Sequence, residues 1–131
     1  MKKIILYLWQ LPQNLLGLLV ILFTHAKYFN AGYWLTPRYG FGVCLGSYII
    51  FGQAVNQTSI KHERGHQKQS LYLGWFYLII IGLPSLAGNL FDRLFHGSWN
   101  TAKRLSWYYN LPWERWADKL GEVKRSYSLW I

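Results

Sequence analysis

The chain has little acidic charge and almost no cysteine. Five Asp and Glu residues oppose 14 Lys and Arg residues, which leaves a net charge of +9 over 131 residues. The single cysteine, Cys44, excludes an internal disulfide and a zinc site built from several cysteines. We expect it to be a small buried apolar residue. The length predicts a single domain, 1–131, with room for a membrane segment.

The sequence also lacks a recognisable motif for reading nucleic-acid bases, and its basic residues are spread along the whole length. It does contain eight Trp and ten Tyr, residues that gather where a protein meets the membrane–water interface. Basic charge combined with this aromatic excess favours attraction to anionic lipid headgroups. We therefore predict a membrane protein, with lipid as a partner and without nucleic acid.

Acidic and basic residues are absent from the stretch Ile4–Thr24, which is mostly Leu, Ile and Val. Its length predicts a membrane anchor helix, although a signal peptide or a half-inserted helix fits the same composition. Pro12 predicts a kink in that helix. Gln10, Gln13 and Asn14 would be unfavourable in lipid, so we expect them to face protein or water.

Glycine punctuates a second uncharged stretch, residues 39–60, and disfavours a helix there. Bulky residues occupy one parity of the alternation and small residues the other, which is typical of strands. We predict a hairpin with strands at Phe41–Leu45 and Tyr48–Phe51. A strand whose small face is open can also accept an extended peptide alongside it.

Helical patterns follow the hairpin. Gln57 to about Leu73 reads as a helix with Asn56, Thr58 or Ser59 as its cap. The apolar segment 71–91 comes next and predicts either a membrane-inserted helix or a buried core helix. Its Gly-Leu-Pro-Ser sequence at 82–85 predicts a break, and hence a bent or re-entrant segment. Pro112–Leu120 reads as a short helix, with Pro at its first position and Gly121 just beyond its end.

The sequence HERGH at 62–66 indicates a specific chemistry. His62 and His66 are four residues apart, so they share one helix face and can bind one zinc ion. Glu63 lies beside that pair, where a base can take a proton from a zinc-bound water. The alternative is an exposed hydrophilic helix face, because charged and polar residues surround the motif.

A catalytic zinc needs a third protein ligand. Glu114 and Asp118 stand out among the acidic and histidine residues downstream, because they are four apart on the predicted short helix. One can bind the metal while the other accepts a hydrogen bond from a ligating histidine. Alternatively, Glu114 is an acidic residue favoured in a first helical turn, and Asp118 pairs with a neighbouring cation. The remaining downstream candidates are Asp92, His96 and Glu122. Neither His96 nor His25 lies at a sequence spacing that is typical of metal ligands.

The pattern HExxH followed by ExxxD resembles the gluzincin branch of zinc metallopeptidases. The resemblance implies that His62, His66 and Glu114 bind Zn²⁺, that Glu63 is the general base, and that Asp118 supports a histidine. Most of the chain also resembles a group of small, uncharacterised bacterial membrane-associated proteins with HExGH motifs. That second resemblance extends from the Leu-Pro-Gln-Asn sequence at 11–14 to the Trp-Ala-Asp sequence at 116–118. It implies a location in the bacterial inner membrane.

We accordingly predict an α+β, mainly helical fold. A minimal zincin-like core over 39–121, made of a short β-hairpin, the HExxH helix and the ExxxD helix, would include the apolar segment 71–91. One or two apolar helices would be inserted into the membrane or re-entrant. Basic residues flank the first apolar stretch on both sides in similar number, which favours segments that dip into one leaflet from the cytoplasmic face.

The expected function is that of a membrane-associated zinc metallopeptidase acting on a peptide or protein. Hydrolysis would use a zinc-bound water with Glu63 as base, and Tyr108 and Tyr109 are possible donors to the oxyanion, with Arg104 also near. One alternative is a non-enzymatic membrane adaptor or immunity-like protein with a structural metal or none. Another is a zinc hydrolase for a non-peptide amide or a lipid.

Overall fold

A computed structural model describes residues 1–29, 32–34, 42–52 and 56–125. The fold is mostly helical with a small four-stranded mixed sheet, so the predicted α+β, mainly helical class is confirmed. The elements in chain order are α1 (Lys2–Trp9), α2 (Leu11–Thr24), β1 (Lys27–Phe29), β2 (Gly32–Trp34), β3 (Gly42–Leu45), β4 (Tyr48–Phe51), α3 (Gln57–Leu73), a 3₁₀ turn (Gly74–Phe76), a π-helical turn (Leu78–Gly82), α4 (Leu83–Phe95), α5 (Thr101–Tyr109) and α6 (Pro112–Leu120).

Two helices stand where one anchor helix was predicted. The axes of α1 and α2 differ by 86°. The chain bends at Gln10 rather than at Pro12. Pro12 lies in the first turn of α2, where a backbone N–H has no hydrogen-bond partner within the helix, so proline is tolerated there. The N-terminal segment therefore does not form one straight rod across a bilayer.

The polar residues of this segment face protein, as expected. Gln10, Gln13 and Asn14 are all buried. Ser70 on α3 joins two of them, since its Oγ accepts from Gln13 Nε2 at 2.8 Å and donates to Gln10 Oε1 at 2.6 Å. Asn14 Oδ1 accepts from the backbone N–H of Ser47 at 2.7 Å. These bonds hold the N-terminal helices against α3 and the hairpin turn.

The predicted hairpin is present as β3 and β4, paired antiparallel from Gly42↔Phe51 to Leu45↔Tyr48. Phe41, the predicted first residue, lies outside the described residues. Short strands β1 and β2 extend the sheet in the order β1-β2-β4-β3, with β2 parallel to β4. Sequence analysis did not predict them. Cys44 is buried in a core cluster with Ile49, as expected.

Helix α3 has the predicted extent, and Asn56 is its cap, since its Oδ1 accepts from the backbone N–H of Ser59 at 3.0 Å. The chain turns at Gly74, whose φ of +56° favours glycine and which lies directly against Trp9. The predicted break at 82–85 is wrong. A helical run continues from Leu78 to Phe95, because Pro84 falls in the first turn of α4 and a π-helical turn precedes it.

This helical run is the described helix that is long and apolar enough to span a membrane, about 27 Å at 1.5 Å per residue. Only 11% of it is buried inside the protein, which differs from the core helix of a soluble domain. Its exposed residues are apolar except for Arg93 near its end, whereas Ser85, Asn89 and Asp92 are partly buried. The exposed large residues are Ile79, Ile80, Leu83, Leu86, Leu90, Phe91, Leu94 and Phe95.

Backbones of α3 and α6 approach each other closely at two glycines. A Cβ on Gly65 would lie 1.9 Å from the carbonyl oxygen of Ala117. A Cβ on Gly121 would lie 2.1 Å from the carbonyl oxygen of Lys61. No larger residue fits either position without moving a backbone. The glycine within HERGH therefore sets the distance between the two helices.

We expect Gly65→Ala to lower the free energy of unfolding by about 1–3 kcal/mol, since the new methyl group would push α6 away from α3. Unfolding followed by tryptophan fluorescence in detergent would measure this. Gly97→Ala is the matched control, because no atom lies within 4 Å of the added Cβ. Equal stability of the two variants would contradict the tight α3–α6 contact.

Candidate metal centre

Three buried side-chain atoms converge between α3 and α6. His62 Nε2 and His66 Nε2 lie 3.1 Å apart. Glu114 Oε2 lies 3.0 Å from the first and 3.1 Å from the second. The four-residue spacing of the histidines places both rings on the face of α3 that meets α6, and Glu114 enters from the first turn of α6.

Hydrogen bonds on the far side of each ring determine which nitrogen carries the proton. His62 Nδ1 donates to Asp118 Oδ1 at 2.7 Å, and Arg125 Nε donates to the other oxygen of that carboxylate, Oδ2, at 2.7 Å. His66 Nδ1 donates to Gln69 Oε1 at 2.6 Å. The Gln69 amide nitrogen donates to the carbonyl oxygen of Trp113, which directs its oxygen at His66. In the neutral rings both Nε2 atoms are therefore hydrogen-bond acceptors.

Three acceptor atoms facing one another repel unless a cation lies between them. Their separations of 3.0–3.1 Å are close to the roughly 3.3 Å expected between ligands of a tetrahedral zinc ion. Two imidazoles and one carboxylate also form a ligand set that suits zinc. Among the described residues, His62, His66 and Glu114 form the group whose atoms could hold a metal ion.

The same arrangement attracts a proton. Burial alone would lower the pKa of His62, but hydrogen bonds with Asp118 and Glu114, together with nearby negative charge, raise it to about 9. Burial alone would raise the pKa of Glu114, yet hydrogen bonds with His62 and His66 hold it well below its usual range. Glu114 therefore stays ionised, as a metal ligand must.

Glu63 lies beside the three converging atoms and lines the same cleft. Its Oε2 is buried and has no hydrogen-bond partner within the part of the chain that the structure describes. Gly42 on β3 leaves the space for this carboxylate, because a Cβ there would lie 2.9 Å from Glu63 Oε1. Burial raises the pKa of Glu63, against the attraction of His66 and His62. A carboxylate with a raised pKa and a free oxygen is suited to accept a proton.

Three supporting residues escaped sequence analysis. Gln69 orients His66, and its i+3 spacing from that histidine was a usable signal. Ser85 on α4 donates a hydrogen bond to Glu114 Oε1, and Arg125 pairs with Asp118. No local sequence pattern predicts the contacts of Ser85 and Arg125, because α4 and the residues after α6 reach the site only in the folded chain.

The predicted oxyanion donors lie in the cleft with the cluster. Tyr108 has side-chain hydrogen bonds with Ser85 and Glu114, and burial raises its pKa. The ring of Tyr109 packs edge-on against His62, with centroids 4.9 Å apart. Arg104 also lines the cleft, but Asp92 holds it in an ion pair at 2.8 Å.

The other candidate ligands lie elsewhere. Asp92 pairs with His96 as well as with Arg104, and His96 stacks on Trp99. His25 has a left-handed backbone conformation at the end of α2. Glu122 follows α6, and its side chain is not part of the group of possible metal ligands.

A cleft of about 940 Å³ extends from the cluster. Its walls come from α2, β3, α3, α4 and α5. The cleft therefore joins the histidines and Glu63 to the surface formed by α2 and α4.

We expect the chelator-treated protein to lose stability as the pH rises from 6.5 to about 9. The pKa of His62 is higher in the folded state, at about 9, than its ordinary value of 6.5. Its protonation therefore stabilises the fold fully below pH 6.5, and this contribution is lost as the pH rises through 9. Thermal unfolding between pH 6 and 10 measures the slope. Asp118→Asn should flatten it, and an equal slope in that variant would contradict the assignment.

No protein-family model, curated protein or solved structure matches the chain. The conclusions about its chemistry therefore depend on the geometry of this cluster.

Proposed function

We propose that the protein is a membrane-associated zinc metallopeptidase. One observation carries the proposal: three acceptor atoms from His62, His66 and Glu114 converge within 3.1 Å, and beside them in an open cleft lies Glu63, whose Oε2 has no hydrogen-bond partner among the described residues. A purely structural site has no need for the open cleft or for the buried carboxylate.

Zinc held by these three residues would act as a Lewis acid that polarises the scissile carbonyl and lowers the pKa of water. Asp118 and Gln69 keep both rings in the tautomer that binds a metal. Ser85 holds the second oxygen of Glu114, so that Oε2 alone points at the histidines.

Glu63 would accept the proton of the attacking water and then deliver it to the leaving amine. Burial raises the pKa of Glu63, which makes the carboxylate a better proton acceptor than an exposed one. Tyr109 or Tyr108 would donate a hydrogen bond to the carbonyl oxygen as negative charge develops on it. Both tyrosines line the cleft.

A peptide substrate is favoured over a smaller amide. Among the described strands, β3 is at one end of the sheet order, pairs with β4 on one side, and its four residues line the cleft. A strand with one unpaired edge can bind an extended peptide through main-chain hydrogen bonds. The hairpin, the α3 motif and α6 together support a minimal zincin-like arrangement.

Membrane association is supported by an inverted distribution of polarity. Helix α2 buries Gln13 and Asn14 while Leu15, Leu19 and Phe23 are exposed. The run from Leu78 to Phe95 repeats the pattern, with apolar residues outward. Apolar side chains prefer lipid to water, and buried polar side chains need protein partners, so this arrangement fits a bilayer.

Purified protein should contain one zinc ion per chain, and His62→Ala should lose it, since one of three ligands is removed. Glu63→Gln should keep the metal and lower turnover of a peptide library by about 10²–10⁴-fold. Elemental analysis and peptide cleavage measure the two effects. Zinc without any cleavage of peptides would support the non-enzymatic membrane adaptor, and cleavage of a non-peptide amide or of a lipid alone would support a different hydrolase.

Lys2→Cys and Lys61→Cys should react with a membrane-impermeant maleimide from the same, cytoplasmic side. The bend between α1 and α2 lets this pair dip into one leaflet and return, and both lysines are exposed. Labelling of intact cells and of inverted vesicles distinguishes the sides. The unmodified chain is the control, because its only thiol, Cys44, is buried. Reaction from opposite sides would show that the N-terminal segment crosses the membrane.

A further inference from the structure

The cleft opens onto the outward-facing apolar surface of the protein. Several residues that line it are also among the exposed apolar residues of α2 and of the run from Leu78 to Phe95. Leu16 is 42% exposed, Ile79 65%, Leu83 61% and Leu86 57%, and all four line the cleft. The surface that faces lipid is therefore continuous with the path to Glu63.

We infer that an apolar peptide segment enters this cleft sideways, directly from the bilayer, between α2 and the Leu78–Phe95 run. This inference rests on the proposed peptidase function and names its substrate class: a membrane-embedded segment of a protein rather than a peptide dissolved in water. It follows from the opening between α2 and this run, where the residues that line the cleft are apolar and exposed.

The position of Ser85 supports this path. Ser85 contacts Glu114 and lies seven residues after Leu78 and seven before Asp92, so about 10 Å of helix extends to either side of it. Leu78 lines the cleft on one side of this level and Asp92 on the other. A substrate segment lying along the Leu78–Phe95 run would pass from the apolar wall at Leu78 to the polar wall at Asp92. The candidate metal ligands lie between these two walls.

Strand β3 meets the other requirement of such a substrate. A helix must unwind before its peptide bond can be attacked, and unpaired backbone groups in lipid cost several kcal/mol each. Alternate residues of an antiparallel strand direct their backbone groups to opposite sides. Tyr77 donates to the carbonyl oxygen of Cys44 at 3.0 Å, which shows that this carbonyl points away from β4. Gly42 has the same parity and lines the cleft, so its backbone groups can pair with an extended substrate, whereas the Cys44 carbonyl already has Tyr77 as its partner.

Cleft size agrees with an occupant of several residues. Its volume of about 940 Å³ lies at the upper end of the range of roughly 300–1,000 Å³ that small-molecule sites occupy. A single small amide would leave most of this volume empty, whereas a segment of several residues would fill it.

Photo-cross-linking in vesicles tests the inference without relying on turnover. The Glu63→Gln protein is reconstituted in phosphatidylcholine–phosphatidylglycerol vesicles with a 20-residue Leu/Ala peptide that carries benzoylphenylalanine at its centre. We expect cross-links at cleft-lining residues. Leu16→Trp and Leu86→Trp should each lower their yield by about tenfold, because the larger ring narrows the opening.

The chain offers matched controls for both variants. Leu15 is 50% exposed beside Leu16, and Leu90 is 51% exposed one turn beyond Leu86, yet neither lines the cleft. Leu15→Trp and Leu90→Trp should leave the yield unchanged. Cross-links spread evenly over the exposed apolar residues, or equal loss in lining and control variants, would overturn the inference.

The same experiment separates this inference from the proposed function. Cross-links in the cleft, together with zinc-loaded wild-type protein that cleaves no peptide in vesicles, would support the entry path and reject the peptidase. Cleavage of water-soluble peptides that is unaffected by Leu16→Trp, without cross-links in the cleft, would support the peptidase and reject lateral entry.

Discussion

Close backbone contact between α3 and α6 is the constraint on which the candidate site depends. Gly65 lies against the carbonyl of Ala117, and no side chain fits between them. At this separation Glu114 reaches both histidines and Asp118 reaches the far nitrogen of His62. The resulting cluster of acceptors is unfavourable by itself, so it is stable only with a cation or a proton among its members.

The second organising feature is the inverted polarity of the apolar helices. Polar residues such as Gln13 and Ser85 face inward, where they bind α3 and Glu114, and the apolar residues face outward. Helix α3 shows the opposite pattern on its exposed side, with Lys61, Arg64 and Lys68. The candidate site lies between the apolar surface and this charged surface.

Local signals explain which elements could be predicted. Asn56 caps α3, alternation marks β3 and β4, and Pro112 with Gly121 brackets α6, so these elements followed from neighbouring residues. The bends did not. Pro12 and Pro84 were expected to break helices, but each lies in a first helical turn, and the chain instead turns at Gln10 and Gly74. A proline breaks a helix only where an N–H is needed, and position within the helix decides that.

By itself the sequence determined which reactive side chains share a helix face: two histidines on one helix with a glutamate between them, and an acidic pair on a second helix. Helical periodicity is a local property, so spacing alone was enough. Only the tertiary structure decided that these faces meet, that Ser85 and Arg125 support them, and that the cleft opens on the apolar surface. Those features depend on contacts between residues far apart in the chain, which no local pattern encodes.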